Sequence, residues 1–282
     1  MAGCWGYSAS TLQQVKVWND TANGDKGGIW QSGAAPSVDA DGNIYLTIGN
    51  GASDAGTGGH NYGDSIVRIP TTGGQPFAPA DFFTPHNHSD LENLDLDLGS
   101  TGVLLVPPRA SGATPEAFFG GKEGNLYLVN RNNLGGFDSV NDNVIQIIGG
   151  QGRHGTFDSP AYYNNRVFFA ASNGPLETLI IINGTASAGQ QTAEHYGFPG
   201  VNPSISANGA GNGIVWVIAK GSDGHAILEA FSATNLSKKL YSSDTAGARD
   251  LPGDYVKFTT PTIADGKVII GTGNELDVYG LL

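Results

Sequence analysis

Apolar and polar positions alternate along this chain in short runs broken by Asn, Asp and Gly, and one such pattern occurs four times. Pro36-Ser37-Val38-Asp39-Ala40-Asp41-Gly42-Asn43-Ile44-Tyr45-Leu46 is a proline-led short run, a polar turn, and a β-branched and aromatic run. Residues 159–169, 202–216 and 260–270 repeat it behind Pro160, Pro203 and Pro261. Period-two alternation on both sides of a tight Asn/Asp/Gly turn predicts a β-hairpin. Proline suits the opening residue of the leading strand, which need not donate to the sheet.

A hairpin cannot bury its apolar face alone, so a recurring one implies units that stack on one another, as propeller blades do. Helix has no comparable signal, since no window of eleven or more residues combines helical apolar spacing with a capping residue. The pattern therefore predicts an all-β fold, a β-propeller of four-stranded antiparallel blades with inner strands at about 35–39, 101–106, 159–163, 202–206 and 259–263. A single domain over 1–282 is expected, with a partial first blade at 1–20, blades at about 28–84, 95–150, 155–198 and 199–244, and a last blade at 255–282. The first unit, with strands near 4–8 and 13–18, and the three-stranded last unit are both incomplete. Either they join within one chain, giving a monomeric ring of about five blades, or an open half ring is completed by a second copy. Closure within one chain is the preferred expectation, and a homodimer the alternative.

Composition agrees with this picture and narrows the partners. The 43 Gly and 14 Pro, without a long low-complexity tract, describe many short strands joined by turns. The formal charge is −12, and the 14 Lys and Arg are scattered, so no nucleic-acid partner is expected. Cys4 is the only cysteine, which leaves no intrachain disulfide and no Cys-based zinc site. The sequence shows no signal peptide and no run of about eighteen apolar residues, so no membrane span is expected.

Three stretches resemble a known family: the proline-led hairpins, Gly121-Lys122-Glu123-Gly124-Asn125-Leu126-Tyr127-Leu128-Val129-Asn130-Arg131, and Leu228-Glu229-Ala230-Phe231-Ser232-Ala233-Thr234. Together they resemble the pyrroloquinoline-quinone-like (PQQ-like) β-propeller repeat family, over nearly the whole chain. The resemblance implies the fold and leaves three activities open, because such propellers serve as dehydrogenases, assembly scaffolds and binding proteins. Quinone-dependent alcohol dehydrogenases of this family usually have eight blades and stack the cofactor on a vicinal cysteine pair; with Cys4 alone, the resemblance does not carry PQQ over. The chain resembles the C-terminal part of longer members, for which a periplasmic or extracellular location is expected.

In a propeller the residues just before each inner strand line the mouth of the channel, which directs attention to Trp30, Gln31, Asp95, Asp97, Ser100, Arg153, His154, Asp158, Tyr255 and Lys257. Asp95-Leu96-Asp97 sets two carboxylates on one face of an extended segment, where they can share a proton or grip a hard cation, and turn chemistry explains them as well. His154, with Asp158 close by, is a candidate acid or base, so Asp97, His154 and Asp95 are the candidate catalytic residues. Trp30, Gln31, Ser100, Arg153, Asp158, Tyr255 and Lys257 are the candidate ligand-binding residues. His86-Asn87-His88-Ser89-Asp90 offers two imidazoles and a carboxylate for a transition metal if the segment is extended. The Gly-rich stretch 49–64 reads as a flexible connection, or as a calcium loop through Asp54 and Asp64. Acidic and aromatic residues together suit a sugar or other polyhydroxy ligand, bound with or without hydrolytic or oxidative chemistry. The alternatives are a quinone-dependent alcohol or sugar dehydrogenase and a non-catalytic interaction scaffold.

Overall fold

In the computed structural model, which describes residues 2–108, 113–149, 154–182 and 184–280, the described residues form six antiparallel sheets. The chain divides into two compact units, Met1–Gln31 with Ala35–Arg153, and Ser32–Ala34 with His154–Leu282.

The first unit opens with a two-stranded hairpin, β1 (Gly3–Tyr7) and β2 (Gln14–Asn19). A four-stranded sheet follows, from β3 (Ser37–Val38), β4 (Asn43–Thr47), β5 (Ile66–Pro70) and β6 (Asp81–Phe83), paired in chain order. One short helix, α1 (His88–Leu94), leads to a second sheet of β7 (Leu104–Val106), β8 (Glu116–Gly120), β9 (Leu126–Asn130) and β10 (Gln146–Ile148). The second unit carries two more such sheets. They are β11 (Ala161–Tyr163), β12 (Arg166–Ala170), β13 (Leu176–Ile182) and β14 (Thr185–Gln191), then β15 (Ser204–Asn208), β16 (Gly211–Lys220), β17 (Ala226–Ser232) and β18 (Asn235–Ser242). A three-stranded sheet of β19 (Thr262–Ala264), β20 (Lys267–Gly271) and β21 (Leu276–Tyr279) ends it. These chain-order antiparallel meanders are β-propeller blades, and β3, β7, β11, β15 and β19 are the five leading strands that the repeat predicts.

The turns explain why the hairpins form where they do. Asn164 and Asn165, between β11 and β12, have φ of 46° and 64°. Asp265 and Gly266, between β19 and β20, have φ of 49° and 71°. Two successive left-handed residues make the turn whose twist matches paired strands, and Asn, Asp and Gly tolerate that conformation best. Between β3 and β4, Asp39 performs the same task by accepting the N–H of Asp41 (3.0 Å) and of Asn43 (2.9 Å) on its side chain.

Each unit is held by blade-on-blade packing. In the first, Tyr45, Ile66 and Phe83 meet Ala117, Phe119 and Tyr127 in one core, and Trp18 joins Leu46, Ile48, Val67 and Ile69 in another. In the second, Phe168 and Leu176 pack with Val215, Val217 and Phe231, and Ile218 and Leu228 pack with Val268 and Ile270. No helix among the described residues is long and apolar enough to cross a membrane.

Candidate functional site

A polar constellation lies in the first unit, beside the start of its second four-stranded sheet. Asp95 caps the C-terminus of α1 in the left-handed conformation (φ 58°), a geometry Asp tolerates better than most residues. Asp97 follows at the head of a single 3-10 turn over Leu98–Ser100. Lys122, on the turn after β8, sends its Nζ to Asp97 Oδ2 (2.5 Å) and Asp95 Oδ2 (3.3 Å), and lies 5.7 Å from the Trp30 ring centroid. Asn50 supports both carboxylates, its N–H donating to Asp97 Oδ1 (2.7 Å) and its Nδ2 to Asp95 Oδ1 (3.2 Å). Gly49 makes this approach possible, since a Cβ there would stand 2.2 Å from Asp97 Oδ1. Burial pulls the Lys122 pKa down, but Asp97 and then Asp95 outweigh it and hold the ammonium above the ordinary lysine value.

Exposure separates the two carboxylates. The Asp97 side chain is 15% exposed and its oxygens are taken up by Lys122 and Asn50, whereas the Asp95 side chain is 85% exposed and has acceptor capacity left for solvent or a ligand. Close to this pair lies buried Asp64, whose Oδ1 accepts the Leu98 N–H (3.1 Å) and whose Oδ2 is without a partner among the described residues. Burial pushes its pKa up to about 7, with Asp97 and Glu92 adding to the effect. The arrangement is a set of pre-oriented donors and acceptors beside an indole, with Lys122 locked in a salt bridge.

Other residues singled out in the sequence do different work. Gln31 is buried, and its Oε1 accepts the N–H of Thr47, the last residue of β4 (2.9 Å). Asp158 is buried as well, and its Oδ2 accepts the N–H of Ala170, the last residue of β12 (3.0 Å). The two perform one structural task in two blades, holding the end of the second strand, so they are internal struts rather than lining residues. Asp158 Oδ1 has no partner among the described residues, and burial raises this carboxyl to about 7. Ser100 is buried in its 3-10 turn. His154 is exposed and, among the described residues, makes no hydrogen bond to Asp158. Arg153 lies outside the described residues.

In the second unit, Tyr255 lines a shallow depression with Phe157, Pro199, Asn202 and Phe258. Exposed Lys257 stands 4.8 Å from the Phe198 ring centroid, and Phe198 meets Phe157 edge-on at 5.1 Å.

The expected metal trio does not assemble. The segment turns helical at His88, so residues 88 and 90 diverge around α1 instead of sharing a face. His86 Nδ1 pairs with Asp142 Oδ2 at 3.1 Å, and His88 sits edge-on to Phe137 at 5.2 Å. Among the described residues, no group of three or more His, Cys, Asp or Glu is placed to hold a metal ion. The Gly-rich stretch closes on itself, because Asp54 accepts both the backbone N–H (2.8 Å) and the Nδ2 (2.6 Å) of Asn61. Asp54 is thereby engaged with Asn61 while Asp64 is engaged with Leu98, and among the described residues neither belongs to a group placed to hold a metal ion.

Lys122, Asn50 and Asn202 carry much of this geometry and were not distinguished by residue type or local spacing, and Asp64 was distinguished only as a calcium-loop residue. Lys122 stands inside the Gly121–Arg131 motif, but its partners come from the connection between β6 and β7.

No protein-family model matches the chain, and no curated protein matches it either. Solved structures do. Quinohemoprotein alcohol dehydrogenase ADHIIG from Pseudomonas putida HK5 is similar with a TM-score of 0.51 at 11% identity, over 87% of this chain and 44% of that one. The WD40 domain of Toxoplasma gondii coronin is similar with a TM-score of 0.50 at 10% identity, over 86% of this chain and 57% of that one. The chain thus spans about half the length of these structures. At such identities the likeness is one of fold, and the fold is a β-propeller.

Proposed function

We propose that this chain is a ligand-binding propeller of the PQQ-like repeat kind, and that the Trp30, Asp95 and Lys122 cluster receives a sugar or other polyhydroxy compound. The repeated hairpins and the Gly121–Arg131 motif support the repeat assignment. The observation that carries the ligand class is the exposed Asp95 carboxylate held beside Lys122 and Asn50, with the Trp30 indole next to the same Lys122 ammonium. Adjacent hydroxyls are satisfied by closely spaced acceptors and donors, and an aromatic ring covers the apolar side of a sugar. Asp97, tied to Lys122 and Asn50, serves as the anchor of the site, and binding rather than turnover is the activity this arrangement supports.

Titration with a panel of monosaccharides, oligosaccharides and polyols, read by tryptophan fluorescence and calorimetry, tests this reading. At least one compound is expected to bind saturably, with Trp30→Ala and Asp95→Asn each weakening it about tenfold or more at unchanged thermal stability. Absence of saturable binding across the panel, or full affinity in both variants, overturns it.

A further inference from the structure

Negative charge outweighs positive around Asp95. Five carboxylates of the first unit, Asp25, Asp64, Glu92, Asp95 and Asp97, share one electrostatic neighbourhood with the ammonium groups of Lys26 and Lys122. Each ammonium is already paired. Lys122 Nζ is bonded to Asp97 at 2.5 Å, closer than its 3.3 Å to Asp95, and Lys26 Nζ is bonded to Glu92. Asp25 and Asp64 have no ion-pair partner among the described residues, and Asp95 has only its lesser share of Lys122.

This excess is turned toward a ligand at one point. The Asp95 side chain is 85% exposed and each of its oxygens holds a single donor, Asn50 Nδ2 on Oδ1 (3.2 Å) and Lys122 Nζ on Oδ2, so lone pairs remain open to solvent. Asn50 is itself 7% exposed. While its Nδ2 touches Asp95, the Oδ1 of the same carboxamide is buried without a partner among the described residues, which sets the negative end of a fixed dipole in the site. Asp64, 1% exposed and with its Oδ2 likewise unpartnered, adds to the field from the interior. Its carboxyl, held up at about 7 by burial and then by Asp97 and Glu92, responds to the same shortage of positive charge.

A neutral sugar would satisfy the hydrogen bonds of Asp95 and leave its charge unopposed. A sugar acid would be repelled. A protonated amine in the place of one hydroxyl supplies N–H donors and the missing charge together, and a charge-assisted bond to a carboxylate is stronger than a neutral one. Resting on the reading of this cluster as a polyhydroxy site, we propose that its ligand is an amino sugar whose ammonium pairs with Asp95. The neighbouring donors and acceptors are left to the ring hydroxyls.

Calorimetric titration at about pH 6, where sugar amines are protonated, compares two β-1,4-linked tetramers of one framework. Fully deacetylated chitotetraose carries an ammonium on each ring where cellotetraose carries a hydroxyl. The amino tetramer is expected to bind about tenfold or more tightly at low salt, an advantage that falls away at about 0.5 M salt. Asp95→Asn should abolish the advantage at low salt, and Asn tolerates the left-handed cap that Asp95 forms on α1. Asp265→Asn, at an exposed turn of the second unit, removes the same net charge and should leave the advantage intact, which separates Asp95 from general attraction to an acidic chain. Cellotetraose binding as tightly as the amino tetramer, an advantage that survives in Asp95→Asn, or one lost equally in Asp265→Asn would overturn the proposal and leave the polyhydroxy reading in place. Spermine, a polyamine without hydroxyls, binding as tightly as the amino tetramer would overturn it too. Failure of both tetramers while another saccharide binds is a further refutation, whereas absence of binding by every saccharide takes the polyhydroxy reading down with it.

Discussion

Asn202 is the residue whose loss should cost the second unit most per atom removed. It is 3% exposed and ties together four segments of that unit. Its Nδ2 donates to Ser32 O (3.0 Å), Phe258 O (2.9 Å) and Thr260 Oγ1 (3.1 Å), and its Oδ1 accepts the Ser159 N–H (3.0 Å). The segments it holds are themselves awkward, with Ser32 at φ 46° and Phe258 at φ 68°, conformations that a side chain with Cβ adopts at a cost. The two Nδ2 hydrogens are shared among three acceptors, so Asn202→Ala removes the equivalent of about three hydrogen bonds worth about 1 kcal/mol each, and a loss of roughly 3 kcal/mol is expected. For a unit of this size that lowers the melting temperature by roughly 8–12 °C. Asn202→Asp is the sharper perturbation, because it keeps the shape and the Ser159 contact while turning a carboxylate toward two carbonyls and a hydroxyl. It should destabilise at least as much as alanine at pH 8 and recover toward pH 4, where the carboxyl can donate a proton. Differential scanning calorimetry at both pH values provides the measurement. A shift below about 3 °C for Asn202→Ala, or an Asn202→Asp protein as stable as the parent at pH 8, would refute the reasoning.

Three further outcomes are expected. Asp158 has a folded pKa of about 7 against an ordinary 3.8, so the folded state binds the extra proton and stability should fall as pH rises from 4 to 7. Urea midpoints across that range should flatten in Asp158→Asn, with partial slope remaining from Asp64 and from Asp20, which burial raises to about 6, and an unchanged slope would contradict the assignment. Gly49→Ala drives a Cβ into Asp97 Oδ1 and should break its bond to Asn50, so calorimetric titration should show ligand affinity falling about tenfold. Buried Glu229 accepts from Tyr196 Oη (2.8 Å) and pairs with Lys239 (2.5 Å). In chemical denaturation, Tyr196→Phe should therefore cost about 2 kcal/mol and Lys239→Met about 3–5 kcal/mol, and the reverse order would argue against a buried carboxylate that depends on its counter-ion.

The fold class was legible in the sequence because hairpins are local. Asn164 and Asn165, Asp265 and Gly266, and Asp39 determine their turns through backbone preferences and contacts within a few residues, and the strands beside them declare themselves by alternation. Stacking of repeated units then follows from the need to bury one face of each. The direction of a side chain at a segment start was not legible. Gln31 and Asp158 occupy the positions where lining residues were sought, yet both turn inward, because a strand-end N–H in a dry interior needs an acceptor and theirs is the oxygen within reach. Nor could residue type identify Lys122, whose role depends on Asp95 and Asp97, brought to it by the packing of the β6–β7 connection on the β8–β9 turn. The His86 segment shows the same limit, since α1 begins at His88 and turns it away from Asp90 while Asp142, distant in sequence, takes His86. Local chemistry thus decides which elements form, while long-range packing alone decides which polar groups face each other, because those distances are set by blades far apart in the chain.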